Sequence, residues 1–141
     1  MIFIAPLAIF AAQAVASDTS PQAAVEVVQS YYGAINRRDF RTAYLAWDQN
    51  GAASGQTFAK FRAGFAQTRS VRVVAGPPFN ADAGMSQRTI DVPVEVYAIL
   101  NRGKRQHFRG KYTLRRVVEG VGAPAGQLRW HLSSASLTLV D

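Results

Sequence analysis

Residues 25–47 read VEVVQSYYGAINRRDFRTAYLAW, and this stretch decides the fold. Val25, Val28, Tyr32 and Ile35 recur at i, i+3, i+7 and i+10, the spacing of one apolar helix face. Phe40, Ala43, Tyr44 and Trp47 follow at i, i+3, i+4 and i+7. Arg37, Arg38 and Asp39 interrupt the pattern between them, which predicts two amphipathic helices joined by a charged corner. Ser20-Pro21 supplies a capping hydroxyl and a proline at the first helical position, so the first helix is expected from about Pro21 to Arg37. Asp39 caps the second, which ends at Asp48-Gln49-Asn50-Gly51.

Working outward, Thr57 opens a third helix, TFAKFRAGFAQT, with Phe58, Phe61 and Phe65 at i, i+3 and i+7. After Thr68 the apolar period changes to two. Four strands are expected: Ser70 to Ala75, Arg88 to Leu100, Gln106 to Val118 and Leu128 to Val140. Residues 76–84 are expected as a loop and 119–127 as another. Pro93 within the second strand suggests an edge position or a bulge. Gly103 suits a tight hairpin turn. In the last strand Leu128, Trp130 and Leu132 hold one phase while Leu137 and Leu139 hold the other, which predicts a bulge across residues 133–136. Three helices followed by a four-stranded antiparallel meander make an α+β domain with helices covering one face of a strongly curved sheet.

A chain of 141 residues sets a prior of one domain, and 48% hydrophobic against 18% charged residues is globular rather than disordered. With no cysteine, disulfides, thiolate catalysis and Cys-type metal centres are excluded. The first 16 residues, MIFIAPLAIFAAQAVA, carry no charge, are short for a membrane span, and end in Ala14-Val15-Ala16 before a polar turn. This is the form of a secretory signal cleaved after Ala16, although no Lys or Arg precedes its apolar run. Residues 17–20 then form a linker and 21–141 a single domain, expected in the periplasm or secreted rather than integral to a membrane. The net charge of +7 suits an anionic partner such as an acidic protein. An exported domain has little occasion to meet nucleic acid.

With YYGAINRRDFRTAYLAW, TFAKFRAGF, FRGKYTLRRV and LRWHLSSASL in view, the chain resembles the nuclear-transport-factor-2-like superfamily, also called ketosteroid-isomerase-like or SnoaL-like. The resemblance covers about Pro21 to Val140. It implies a cystatin-like α+β layout, a cone with a long helix across a curved sheet, a pocket opening into the cone, and frequent homodimers through the outer sheet face. The isomerase branch would use Tyr31 or Tyr32 as an oxyanion donor. It would also need a carboxylate where GAASGQ (51–56) has none and an acid where KYTLR (111–115) offers Tyr112 and Thr113. Asp48 comes too early. The dehydratase branch relies on a His–Asp pair, and His107 and His131 lie in the polar phase of their strands.

The candidate catalytic groups are therefore Tyr31, Tyr32, Asp48 and His131, without a matched acid–base pair. Tyr31, Trp47, Phe61, Tyr97, Tyr112 and Trp130 are the expected pocket wall, suited to an apolar or anionic small molecule. No metal-ligand spacing, dinucleotide fingerprint or other cofactor motif is present. The expected function is an exported, non-catalytic ligand-binding or protein-interaction domain. The alternatives are a small-molecule isomerase, dehydratase or hydrolase working in the pocket, and a basic subunit of an envelope assembly.

Overall fold

The structure, a computed structural model, describes residues 19–140. The expected signal at residues 1–16 lies outside the described residues. The helices are α1 (Pro21–Asn36), α2 (Phe40–Leu45) and α3 (Phe58–Ala63). The strands are β1 (Thr68–Ala75), β2 (Phe79–Ala83), β3 (Gln87–Leu100), β4 (Arg105–Val117) and β5 (His131–Val140).

Each helix starts where a side-chain oxygen caps it. Ser20 accepts from Ala23 N at 3.0 Å, Asp39 from Thr42 N at 3.2 Å and Thr57 from Lys60 N at 3.3 Å. The α1 end turns on Arg38, whose φ of 63° places a non-glycine residue in the left-handed region. Asp39 N then reaches back to Ala34 O and Arg38 N to Ile35 O, which satisfies two end carbonyls. The Arg38 guanidinium donates to Thr68 O at 2.6 Å, an outside tie that offsets the local strain. Asn36 makes a second tie. Its amide donates to Val71 O at 2.6 Å and accepts from Val71 N at 2.8 Å, so it takes the place of a neighbouring strand at the β1 edge.

The third helix is half the expected length. Gly64 caps it, and the chain beyond is drawn to the sheet, where Gln67 O accepts from Asn101 N. Phe65 still reaches the helical layer and stacks on Phe40 at 5.8 Å, so the aromatic spacing survives without a helix to carry it.

The sheet has five antiparallel strands rather than four, in the order β1-β3-β4-β5, with β2 also on β3. The additional strand, FNADA, falls in the expected loop; all its residues are exposed, so it has no apolar alternation to show. β1 pairs with residues 94–100 of β3, while β2 pairs with 88–91. Pro93 occupies the seam between these two partners, which is why a proline is tolerated in a central strand. Its carbonyl still accepts from Gly76 N at 2.8 Å, and no N–H is missed on that side.

The last strand begins at His131, because Ala125–Leu128 form a short 3-10 turn. The expected bulge is present: Thr113 faces Ser134 and Leu114 faces Leu132, leaving Ser133 unopposed. That extra residue puts Leu132, Leu137 and Leu139 on the same face. Gly110 lies opposite Leu137, and a Cβ there would stand 1.8 Å from Ser136 O. Only glycine allows β5 to close on β4 at this point.

The inner face of the sheet, led by Val92, Val94, Val96 and Leu114, packs against Val28, Tyr31, Tyr32 and Ile35 of α1. The outer face is polar. Asp91, 6% exposed, receives Lys111 Nζ at 2.8 Å, Thr113 Oγ1 at 2.6 Å and Asn80 Nδ2 at 3.2 Å. Burial alone would raise this carboxyl, but the three hydrogen bonds outweigh it and hold it below the ordinary carboxylate range.

A depressed folded-state pKa stabilises above the unfolded value and is lost as pH falls through the folded one. The native protein should therefore lose stability in urea melts as pH falls below about 4. Asp91→Asn should already be weaker at neutral pH and should lose less on acidification. Gly110→Ala meets backbone that no rotamer change can move, so it should cost at least about 2 kcal/mol in the same melts.

Candidate functional site

The candidate site lies between α1 and the sheet, at the end where α3 hands over to β1. It is a cavity of about 360 Å³ lined by α1, the α3–β1 turn and the inner faces of β1, β3, β4 and β5. Phe65, Val71, Val96, Ala98, Phe108 and Leu137 form its apolar walls. Gly64, Thr68 and Gln106 also line it, while Tyr31, Tyr32 and Tyr112 supply the aromatic hydroxyls.

Tyr32 and Tyr112 are hydrogen-bonded hydroxyl to hydroxyl, 80 residues apart in sequence. One hydroxyl proton is used in that bond, so the pair keeps one proton to donate elsewhere. Burial pushes both hydroxyls well above the ordinary tyrosine range, and it does the same to Tyr31. All three stay neutral at physiological pH. The rings of Tyr31 and Tyr112 meet edge-on at 6.0 Å, and Trp47 packs 6.1 Å from each. Trp47 Nε1 is buried and makes no hydrogen bond of ordinary geometry among the described residues.

By sequence, no family model and no curated protein matches the chain. Solved structures do. A candidate aromatic ring hydroxylase from Novosphingobium aromaticivorans superposes with a TM-score of 0.58 at 13% identity, over 85% of this chain and 92% of its own. A candidate scytalone dehydratase from the same organism gives 0.56 at 10% identity, over 85% and 84%. A candidate dehydratase of the NTF2-like family from Streptomyces avermitilis gives 0.51 at 15% identity, over 86% and 99%. The chain has the nuclear-transport-factor-2-like fold.

Within this NTF2-like fold the expected site residues go to five places. Tyr31, Tyr32 and Tyr112 meet at the cavity. Trp47 and Phe61 are buried behind it: Phe61 sits 6.3 Å from Tyr31 but lines no part of the cavity. Trp130 and His131 line a more open groove of about 490 Å³ on the far side of Tyr31, between α1 and α2, with Glu26, Ser30 and Thr42. Trp130 Nε1 donates to Ser20 O at 2.9 Å and His131 Nδ1 to Arg129 O at 3.0 Å. Tyr97 stands on the outer sheet face, between the Arg72 guanidinium at 4.5 Å and the stacked His107 ring at 4.4 Å. It belongs to no inner pocket, because it shares the phase of Glu95, which bonds His107 and Arg109. Asp48 is engaged elsewhere too. It receives Arg115 Nη1 at 3.0 Å and its backbone N bonds Leu132 O at 2.8 Å, pinning the end of α2 to β5.

Gln106, Thr68 and Phe108 are cavity residues that the sequence reading did not single out. Gln106 and Phe108 share the phase of Tyr112, so the signal was there. What the phase does not say is which end of the sheet stays open.

Tyr32→Phe and Tyr112→Phe should each cost about 1–2 kcal/mol, because each leaves a buried hydroxyl without a partner. The double variant should cost less than the sum, with a coupling of roughly 1 kcal/mol in a denaturation cycle.

Proposed function

We propose that this protein is a non-catalytic binding domain that holds a small, mainly apolar molecule in the cavity between α1 and the sheet. The observation that carries the reading is the lining itself: apolar walls, three neutral tyrosines, and no carboxylate or histidine among the described residues. General acid–base chemistry needs a group that can exchange a proton near neutral pH, and hydroxyls raised above their ordinary range do not. A neutral hydroxyl pair with one proton to spare suits a ligand that carries an oxygen acceptor at its inner end. The neighbours with this fold include a candidate aromatic ring hydroxylase and two candidate dehydratases, which supports a pocket of this size in the cone as a ligand site. Export to the periplasm or beyond, implied by residues 1–16, belongs to the same reading.

Phenylnaphthylamine, an uncharged probe that fluoresces in apolar surroundings, tests it. The native protein should bind one molecule per chain with a large rise in emission. Ala98→Phe, which fills the cavity, should abolish that rise while the melting temperature stays close to native; Thr68→Phe at the mouth serves if Ala98→Phe does not fold. Emission unchanged in a folded, cavity-filled variant would refute the site.

A further inference from the structure

Charge on this protein is not evenly placed. Three chain corners meet at one end of the fold, residues 37–41, 60–69 and 102–105. Arg38 bonds the carbonyls of Thr68 and Arg69; Asn101 bonds those of Ala66 and Gln67; and Arg69 Nη2 donates to Asn101 O at 2.6 Å. Each corner carries three Lys or Arg, nine of the 16 in the chain, whereas Asp39 is the one acid among them out of nine. All nine cations are exposed, and none forms an ion pair among the described residues. Of the seven cations elsewhere, Arg109 pairs with Glu95, Lys111 with Asp91 and Arg115 with Asp48, while Arg72, Arg88, Arg116 and Arg129 form no ion pair among the described residues.

This basic end is also the mouth of the cavity. Arg62 lines a surface recess together with Phe65, and Phe65 is a cavity wall. Gly64 and Thr68 of the corner at 60–69 and Gln106, directly after the corner at 102–105, line the cavity, while Arg105 itself shares the outward phase of His107 and Tyr97. The apolar interior therefore opens through a rim of uncompensated positive charge. Like charges held this close raise the local potential and repel one another, and an anion at the rim relieves both. Outside the rim Leu139 remains 60% exposed on the inner side of β5, directly across from Phe108.

We propose that the cavity selects an anionic amphiphile, its apolar body inside and its charged group among the cations of these corners, Arg62 and its neighbours. This rests on the cavity being a ligand site, and adds the class of ligand. A plain hydrophobic molecule would leave the rim unused. A polyanion without an apolar part would leave the cavity unused.

Anilinonaphthalene sulfonate and uncharged phenylnaphthylamine share one ring skeleton and differ in the sulfonate, so the ratio of their affinities isolates the charge. The sulfonate should bind about tenfold more tightly at low salt, and the preference should fall toward one at about 0.5 M salt. Arg62→Glu with Lys60→Glu should also remove the preference, and the fold should tolerate the change, since neither side chain makes a hydrogen bond or ion pair among the described residues. Binding of the uncharged probe with no preference for the sulfonate, or a preference that survives charge reversal, would overturn the inference and leave the cavity reading standing. A sulfonate preference that persists in folded Ala98→Phe would overturn it as well, because the charged surface alone would then be the binding site. If neither probe binds, the cavity reading fails and this inference with it.

Discussion

The paired hydrogen bonds between the Asn36 amide and the Val71 backbone anchor the end of α1 to the sheet, and the cavity depends on that anchor. A carboxamide presents one donor and one acceptor in the geometry of a peptide group, so it satisfies the β1 edge as a strand would. At the other end of α1, Ser20 O receives the Trp130 indole. In between, the Tyr32–Tyr112 hydroxyls connect helix to sheet. Burial of Val28, Ile35 and their partners supplies the driving force, but non-directional burial alone would draw the helix down onto the sheet. The directional ties at both ends hold it where space remains beneath.

The outer and inner faces divide the polar work. Asp91 and Glu95 on the outer face, and Asp48 just beyond α2, each meet a cation, so these acids are spent on structure. The inner face carries hydroxyls and one amide, Gln106, amid apolar walls. With three acids committed in this way, the corners at the open end hold one acid, Asp39, among nine cations. Ligand preference in this molecule is thus set as much by where its few acids have been used as by the residues around the cavity.

Much of the architecture was legible in the sequence because single residues carry it. Ser20, Asp39 and Thr57 cap their helices as their chemistry requires, and the change of phase between Leu132 and Leu137 announces the Ser133 bulge. β2 left no trace because an exposed strand has no face to alternate against. Pro93 read as an edge or a bulge because sequence does not show that two separate strands share one side of β3. At the site, periodicity placed Tyr32 and Tyr112 inward, Tyr31 entered through the family resemblance, and the alternation along β3 puts Tyr97 with Glu95 on the other face. Aromatic character alone suggested otherwise. Asp48 and His131 looked chemical because they are polar and near the pocket in sequence; their hydrogen bonds, made across the fold, give them other roles.

The contact between Trp130 and Ser20 joins residues 110 apart in sequence. Leu132, fully buried in the centre of the core, arrives with the same strand. Contacts of such long range come late in folding, after the loop between them has been closed at an entropic cost. On the ribosome, α1 and the first four strands therefore have no complete core to close on until β5 has emerged. For as long as β5 is missing the chain remains an open polypeptide, accessible to any chaperone or transport machinery that handles unfolded protein.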